Sequence, residues 1–380
     1  MIKNNQKIPE GWSVKKLGEV SLLFSGGTPS KTEHKYWDNG NIKWLSAKYI
    51  EENKVIGWDY ITEAGLENSS AKLAQINDII LVTRVSVGKI YFCEENYAVN
   101  QDLTIIRSKS VNSNFLFFLV KNKQNVITDK SQGLAIKGIT KEELSNISLL
   151  IPPLAEQEKI AGILGTWDEA IEKLSSLIEQ KKLLKKGLMQ RLLTGKTRLS
   201  TFTQPWEEVK LGDICKISTG KKDVNEGNPD GLYPFFTCAK INTFSDTFSF
   251  DQEAILIAGN GEVGHCQYYN GKFEAYQRTY ILSDFTLSAL LLFQYLNYFF
   301  KQRIDEQKQQ GAMPYIKLKT LIDFHIYIPR DKNEQNSLLS ILSTADEEIN
   351  LLNKKLEALK EQKKGLMQQL LTGQTRVKVN

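Results

Sequence analysis

The sequence predicts a mixed α/β protein that is written twice, as two related α/β domains that are each followed by one long helix of a coiled coil. Two observations predict this architecture. The chain has 380 residues, which is too many for one ordinary core, and its second half repeats its first. The composition is 41% hydrophobic, 10% aromatic and 24% charged, which is typical of a globular chain and excludes a disordered or fibrous one.

The two domains are predicted at residues 1–152 and 199–329. They open on related segments, WSVKKLGEV from Trp12 and WEEVKLGDI from Trp206, which lie 194 residues apart. Inside each domain, short runs rich in Val, Ile, Tyr and Phe alternate with turns, and this pattern is typical of short strands. Each domain closes on a strand-like segment that ends in Ile-Pro.

Two long helices, predicted at 153–198 and 330–380, are the strongest part of the repeat. Residues 156–198 and 334–376 align without a gap, 178 residues apart. Apolar residues recur there at alternating steps of four and three over about five heptads, which is the a/d seam of a coiled coil. At 1.5 Å per residue, each helix should be about 60 Å long. The residues predicted to pair the helices are Ile160, Leu164, Trp167, Ile171, Leu174, Leu342, Ala345, Ile349, Leu352 and Leu356.

The charges of the two helices predict how they pair. Asp and Glu crowd the N-terminal half of each helix and Lys crowds the C-terminal half, which complements the helix dipoles. An antiparallel pair sets acidic halves against basic halves, whereas a parallel pair stacks like charges. We therefore expect an antiparallel coiled coil and a pseudo-two-fold axis through the middle of the chain. The alternative is that each helix covers only its own domain.

Two glycine motifs resemble phosphate-binding loops and fail on their context. GNGEVG (259–264) follows a strand-like run, but the segment after it alternates like a strand and contains Asn270–Gly271, so we expect a strand, an Asn-Gly turn and a second strand instead of a helix. TGKT (194–197) ends a helix instead of opening one, and Gln190 stands where a phosphate-binding loop needs glycine. A glycine helix stop explains it better.

No catalytic or metal-binding motif is present. The sequence has no Asn/Asp-Pro-Pro-Tyr/Phe tetrapeptide, HExxH or GxSxG. Its four cysteines show no CxxC spacing and its three histidines are scattered, so we expect no metal site, and this cysteine usage suits a reducing cytoplasm. The N-terminus has no apolar export segment, and the apolar run 287–300 is short and broken by polar residues, so it is expected to be a buried helix and not a membrane span.

Polar loops with lysine and aromatic residues are the predicted contact surface for DNA. The loop 25–49 combines glycines, which allow close backbone approach to a ligand, with hydroxyl and lysine side chains, which suit phosphate oxygens. Trp37 and Trp44 are expected to anchor this loop in the core. Arginine on the following turn can bond a guanine with two hydrogen bonds. The alternative is an ordinary solvated loop. The predicted DNA-binding residues are Lys31, Lys35, Lys43, Ser46, Lys48, Arg84, Ser86 and Lys89 in the first domain and Lys221, Lys222, Lys240, Asn260, Glu262 and Arg278 in the second.

Net charge does not identify a partner. The chain carries +5 overall, from 49 basic and 44 acidic residues. The first domain has 19 basic and 16 acidic residues, whereas the second has 12 basic and 15 acidic. A DNA-binding second domain must therefore collect its positive charge on one face.

Two diverged domains, each followed by a near-identical helix that ends in LLTGKTR or LLTGQTR, resemble the specificity (S) subunit of type I restriction–modification enzymes. The resemblance covers essentially the whole chain and includes the stretch SGGTPSK…YWDNGNIKWL of a target-recognition domain. The second domain departs from it, with STGKKD in place of the GGTPS pattern. This departure is expected if the two domains read different sequences.

The resemblance implies a non-catalytic subunit in which each target-recognition domain reads one half of a bipartite site in double-stranded DNA. It implies that the helices act as a spacer and dock two methyltransferase subunits, which bind S-adenosylmethionine and methylate adenine. Restriction subunits that use ATP and Mg would join that core. The alternative function is a non-enzymatic adaptor with two protein-binding modules on a coiled-coil spacer.

Overall fold

The computed structural model describes residues 8–51, 53–131, 138–199, 201–304 and 315–379. The chain divides into two compact units. Unit 1 consists of Met1–Lys173 and Leu356–Asn380, and unit 2 consists of Leu174–Lys355. Each unit therefore combines one α/β domain with segments of both long helices.

Unit 1 contains twelve strands among its described residues, most of them short. The strands are β1 (Ser13–Lys16), β2 (Ser21–Ser25), β3 (Ile42–Leu45), β4 (Ile50–Glu51), β5 (Lys54–Val55), β6 (Asp59–Ile61), β7 (Lys72–Ala74), β8 (Ile79–Val82), β9 (Ile90–Phe92), β10 (Tyr97–Val99), β11 (Leu103–Ser108) and β12 (Ser148–Ile151). The helices are α1 (Leu17–Val20), α2 (Glu63–Glu67), α3 (Ser113–Asn122), α4 (Gln124–Asp129), α5 (Lys141–Ser145) and the first half of α6 (Leu154–Leu192). Short 3₁₀ turns lie at His34–Tyr36 and Ala47–Tyr49.

Eight strands of unit 1 form two four-stranded sheets, in the orders β2-β11-β8-β9 and β6-β3-β10-β7, and the other four form the pairs β1-β12 and β4-β5. Within the second sheet β10 runs parallel to β3, and its other pairs are antiparallel. Asn112 caps the N-terminus of α3, and its side chain accepts a hydrogen bond from the backbone N–H of Phe115. Phe115 is fully buried with Ile79 and Leu81 of the first sheet, so this helix covers one face of that sheet.

Unit 2 has fewer and longer strands among its described residues. The strands are β13 (Trp206–Lys210), β14 (Lys216–Thr219), β15 (Tyr233–Phe236), β16 (Thr243–Ser245), β17 (Phe250–Ala258), β18 (Cys266–Ala275), β19 (Thr279–Ser283) and β20 (His325–Pro329). The helices are α7 (Leu211–Ile214), α8 (Ala289–Tyr295), α9 (Leu318–Ile322) and most of α10 (Lys332–Leu371), with a 3₁₀ turn at Val224–Glu226 and a π-helical turn at Leu296–Phe300. Its main sheet has the order β14-β19-β17-β18-β15-β16.

The expected Asn-Gly turn at Asn270–Gly271 is wrong. β18 runs through both residues and pairs with β17 continuously, from Phe250 opposite Phe273 to Ile257 opposite Cys266. This one strand occupies the places that β9 and β10 share in unit 1. The long ladder, together with the stacked rings of Phe250 and Phe273, overrides the local turn preference of Asn-Gly.

The two long helices have 39 residues in α6 and 40 in α10, and they end 6 and 9 residues before the predicted limits at 198 and 380. Of the ten residues predicted to pair them, five are buried and five are half-buried. In unit 1, Ile160 and Leu164 share a core with Leu370 of α10. In unit 2, Leu342 shares a core with Leu192 of α6. Both helices stop at glycines with positive φ, Gly195 and Gly373.

An ion pair joins the two helices in each unit, at repeat-equivalent positions. In unit 1, Lys363 is 5% exposed, pairs with Asp168 and lies 5.1 Å from the centre of the Phe118 ring. In unit 2, Lys185 bonds Asp346 at 2.5 Å. A second ion pair of unit 2 joins Lys181 and Glu348 at 2.6 Å. Residues further along α6 therefore contact residues earlier in α10, since Lys185 follows Lys181 while its partner Asp346 precedes Glu348.

A second repeated contact closes each unit. The buried carboxylate of Glu156 accepts hydrogen bonds from the indole of Trp12 at 3.0 Å and from Arg376 at 2.7 and 2.9 Å. Glu334 accepts the equivalent bonds from Trp206 at 3.1 Å and from Arg198 at 3.0 and 2.6 Å. The arginine that ends each LLTGKTR or LLTGQTR segment therefore helps to hold its unit together. In the described part of the chain, no helix combines the length and apolar character that a membrane crossing needs.

Candidate nucleic-acid interface

Four loops of unit 1 converge at one end of its sheets. We call them the unit-1 loop cluster, residues 26–31, 46–49, 83–88 and 100–102. Backbone bonds to the 100–102 turn and its flanks hold them together: Gly27 N–H donates to Val99 at 2.9 Å, and Thr83 N–H donates to Asp102 at 2.8 Å. Asn100 N–H donates to Leu45 at 2.9 Å. Residues far apart in sequence therefore form one surface.

Two glycines allow the first of these loops to lie against the sheet. A Cβ on Gly26 would come within 2.2 Å of the carbonyl oxygen of Val99. A Cβ on Gly27 would come within 1.9 Å of the Ser70 hydroxyl. The SGG sequence thus reflects close backbone approach inside the protein, and a side chain at either position would push the loop away.

A cleft of about 780 Å³ opens between three of these loops, 26–31, 46–49 and 100–102. Three predicted DNA-binding residues line it, namely Lys31, Ser46 and Lys48. Its other lining residues are Thr28, Trp37, Trp44, Asp59, Tyr60, Asn100 and Gln101. The cleft therefore presents two cations, one carboxylate, several amide and hydroxyl groups and an aromatic wall. Cations, amides and hydroxyls are groups that contact phosphates and base edges.

The two tryptophans of the cleft anchor it, as predicted. Trp44 is 6% exposed and meets the half-buried Trp37 edge to face, with ring centres 5.4 Å apart. Their indole N–H groups donate to backbone carbonyls, Trp44 to Gly27 at 3.2 Å and Trp37 to Ser30 at 2.9 Å. The loop that carries Lys31 is thereby fixed to the core on both sides.

Ser46 contributes an unsatisfied hydroxyl. Its Oγ is buried and has no hydrogen-bond partner among the described residues. A buried hydroxyl without a partner is unfavourable. Because Ser46 lines the cleft, a ligand polar group that enters the cleft would supply the partner.

The lysines of unit 1 differ in how far their charge is already compensated. Lys43 bonds both carboxylate oxygens of Glu95, at 2.7 and 2.6 Å, and lies 4.1 Å from the Trp58 ring centre. Hydrogen bonds from Lys43 and Tyr97 hold the pKa of Glu95 below its ordinary value. Lys31, by contrast, is exposed and forms no ion pair with a described residue. One uncompensated positive charge, that of Lys31, thus lies at the cleft.

Apart from Lys48, the remaining predicted residues of unit 1 do not line this cleft. Arg84 is half-exposed, 4.0 Å from Asp102, and its backbone N–H donates to the Asp102 carbonyl at 3.3 Å. Ser86 is exposed on the same turn and Lys89 is half-buried. Lys35 is exposed, 3.7 Å from Glu33. Lys48 is 65% exposed, 3.6 Å from Asp59.

Unit 2 builds the same loop cluster, and we call residues 220–223, 237–242, 259–264 and 276–278 the unit-2 loop cluster. Tyr276 N–H donates to Phe236 at 3.0 Å, as Asn100 does to Leu45, and Gly259 N–H donates to Arg278 at 3.0 Å, as Thr83 does to Asp102. A Cβ on Gly220 would lie 2.0 Å from the Ala275 carbonyl, as on Gly26. The backbone is thus repeated while the side chains differ.

The predicted residues of unit 2 again include one compensated lysine. Lys222 donates to Ser245 at 3.1 Å and to Thr247 at 2.7 Å, and lies 3.5 Å from the fully buried Glu274. The predicted residues that are exposed on the unit-2 loop cluster are Lys221, Lys240, Glu262 and Arg278, and Asn260 is half-buried there. Three of these side chains are cationic, so the acidic second domain does gather basic side chains on this cluster.

No group of three or more His, Cys, Asp or Glu side chains is placed to hold a metal ion in the described ranges. The four cysteines are free thiols and buried. Burial raises the pKa of both Cys215 and Cys266 to about 12, so these thiols stay protonated at neutral pH.

Comparison with known proteins identifies the family. The family model described as "Type I restriction modification DNA specificity domain" matches this chain twice, over residues 9–180 and 203–361. The chain belongs to this family. The resemblance predicted from the repeated LLTG helices is therefore confirmed.

Specificity subunits align with all or part of this chain. The Type I restriction enzyme MjaVIII specificity subunit of Methanocaldococcus jannaschii is 25% identical over 98% of this chain and 95% of its own length. The EcoDI specificity subunit of Escherichia coli is 35% identical over 44% of this chain and 37% of that protein. The crystal structure of an S subunit from M. genitalium shares the fold, with a TM-score of 0.64 at 19% identity and 98% coverage of both chains.

Two glutamine side chains of the loop clusters, Gln101 and Gln277, were not among the predicted DNA-binding residues. Thr28 donates to the Gln101 side-chain oxygen at 2.5 Å, which fixes that amide at the cleft. The equivalent Gln277 donates to Asp223 at 3.5 Å. The sequence contains a signal for these glutamines, because glutamine recurs 176 residues later at the same turn while its neighbours change. Whether any of these side chains touches DNA stays a prediction.

Proposed function

We propose that this chain is the DNA-recognition subunit of a type I restriction–modification complex, in which each unit reads one half of a bipartite site in double-stranded DNA. One observation carries the proposal. The same loop cluster is built twice on the same backbone hydrogen bonds, with different exposed side chains on each copy. Repeated scaffolds with different contact residues suit two half-sites of different sequence.

The side chains of each cluster support the DNA assignment. The unit-1 loop cluster offers Lys31, Lys48 and Arg84, and the unit-2 loop cluster offers Lys240 and Arg278, together with amides at repeat-equivalent turns. Lysine and arginine neutralise phosphates, and arginine and amide side chains match base edges in the major groove. This combination of groups favours DNA over an apolar protein partner.

We infer that α6 and α10 pair as an antiparallel coiled coil with pseudo-two-fold symmetry. Each ion pair has a counterpart 178 residues away in both partners, Asp168–Lys363 and Asp346–Lys185. The apolar seam is buried or half-buried in both helices. Equivalent contacts in both units are what two copies related by a two-fold axis would make.

We further propose that the helices dock two methyltransferase subunits, which would bind S-adenosylmethionine and methylate adenine in each half-site. Restriction subunits that use ATP and Mg would complete the complex. Four leucines on the helix segments of unit 2 support a docking role, because they are 38–69% exposed away from the seam: Leu177, Leu183, Leu184 and Leu351. The chain itself would then act by positioning its partners on DNA.

A two-module adaptor is the alternative, and salt dependence distinguishes the two. If the loop clusters neutralise phosphates, the affinity of the full chain for duplex DNA should fall steeply and linearly on a log–log plot against salt concentration. The measurement is a titration of the full chain with two duplexes of equal length. One contains the DNA motif that is methylated in cells with this gene, and the other has a random sequence. An affinity that does not change with salt, or no DNA binding at all, would favour the adaptor.

A further inference from the structure

The turn that follows β8 holds a strained and exposed valine. Val85 has a φ of +70° and is 61% exposed. A β-branched residue in the left-handed region is an outlier, because its Cβ approaches the next carbonyl oxygen. Among the described residues, the other non-glycine positions with positive φ are asparagine, aspartate or cysteine.

The repeat shows that the fold does not require this valine. The equivalent residue of unit 2 is Gly261, with a φ of +59°, where glycine meets no steric penalty. The two turns close on the same hydrogen bond, from Gly88 to Val82 at 2.9 Å in unit 1 and from Gly264 to Ala258 at 2.8 Å in unit 2. Glycine therefore satisfies the same turn.

Packing does not account for the strain at Val85, since most of its side chain faces solvent. Backbone strain without a structural benefit is found at functional sites. The valine lies between Arg84 and Ser86, both exposed, on a turn that Arg84 ties to the 100–102 turn through Asp102. Its methyl groups are thus an apolar point among the hydrogen-bonding groups of the unit-1 loop cluster.

One base-pair edge in the major groove offers a matching apolar group, the C5-methyl of thymine. We propose that Val85 contacts a thymine methyl in the half-site that unit 1 reads, beside the base or phosphate that Arg84 contacts. This inference rests on the proposed DNA-reading function. Unit 2 has no side chain at Gly261, so its half-site should contain no contact of this kind.

Replacing single thymines by deoxyuridine, which lacks only the methyl group, tests the contact without changing the protein. The full chain is titrated with duplexes that carry its methylated motif, substituted one thymine at a time. We expect an affinity loss of about fourfold at one thymine of the unit-1 half-site, the loss expected for one buried methyl group. Substitutions in the other half-site should show no loss that depends on Val85.

The variant Val85→Gly completes the experiment. Because it removes the strained side chain, its thermal midpoint should equal or exceed that of the wild type. It should bind the motif without deoxyuridine about fourfold more weakly than the wild type does, and it should no longer distinguish thymine from deoxyuridine at that position. Ile76→Ala is the matched control, since Ile76 is 58% exposed in the turn at the opposite end of β8.

Three outcomes would overturn the inference while leaving the proposed function intact. One is that the wild type and Val85→Gly respond equally to deoxyuridine at every thymine of the unit-1 half-site. Another is that Val85→Gly weakens random duplex as much as the motif, which would indicate a contact without base selectivity. The third is that it leaves DNA affinity unchanged and weakens methyltransferase assembly. If the wild type does not prefer its motif over random duplex, the proposed function itself fails.

Discussion

At the scale of single residues, the loop clusters separate free positive charge from compensated positive charge. Lys43 and Lys222 each face a carboxylate of their own unit, Glu95 and Glu274. Lys31 lines the cleft without such a partner among the described residues. A phosphate that approaches Lys43 must compete with Glu95, whereas one that approaches Lys31 meets an uncompensated ammonium group.

This difference predicts unequal effects of two lysine substitutions. Lys31→Ala should lower the slope of log affinity against log salt by about one, the effect of losing one phosphate contact. Lys43→Ala should leave that slope nearly unchanged, because its charge is already neutralised. Lys109→Ala is the control, since Lys109 is exposed just beyond β11, at the opposite end from the unit-1 loop cluster. Equal loss of slope in the Lys31 and Lys43 variants would contradict this account of charge.

The sequence predicted which loops carry lysine but not which lysines are free. Glu95 lies 52 residues from Lys43, and nothing local indicates that they meet. The positive φ of Val85 was equally hidden, because valine is a residue type for which that conformation is unfavourable. Long-range pairing and backbone strain are tertiary properties, so patterns within a short window do not reveal them.

At the scale of elements, the long helices were predictable because their signal is periodic and repeated. The 4–3 spacing of apolar residues predicted the first residue of α6 and of α10 to within two residues, whereas the helices end 6 and 9 residues before the predicted limits. Asn270–Gly271 is the opposite case, where a two-residue turn signal lies inside the long strand β18. A signal sustained over many residues outweighs tertiary context, whereas a dipeptide does not.

The buried ion pair of unit 1 predicts a stability effect. Asp168→Ala leaves the 5%-exposed Lys363 without its carboxylate, and we expect a loss of about 3 kcal/mol in the free energy of unfolding. Adding Lys363→Met should recover most of that loss, because Met fills the space beside Phe118 without a charge. Denaturant unfolding of the single and double variants provides the measurement. Lys364→Met is the matched control, since the side chain of Lys364 is 79% exposed.

The double variant decides between two explanations of the Asp168 result. If Lys363→Met restores stability, the loss came from an unpaired buried charge. If the double variant is as unstable as Asp168→Ala alone, Asp168 acts through another contact, and the unpaired charge of Lys363 is not the cause of the loss.

At the scale of the whole molecule, the chain repeats one unit and changes its contact surface. The closing contacts around Glu156 and Glu334, the helix ion pairs and the loop backbones are duplicated. The sequence predicted this duplication from the helices and from the Trp12 and Trp206 openings. It did not predict how an acidic second domain could bind DNA, because gathering basic side chains on one cluster is visible only in three dimensions.

If each unit reads one half of a bipartite site, exchanging one domain should change one half of the methylated motif. Residues 1–152 are replaced by the equivalent domain of another family member, and the methylated motifs of cells with either version are sequenced, together with cells that lack the gene. We expect deletion of the gene to abolish one bipartite adenine motif. We expect the replacement to change one half of that motif and to leave the other half unchanged. A motif that changes in both halves, or in neither, would contradict this expectation.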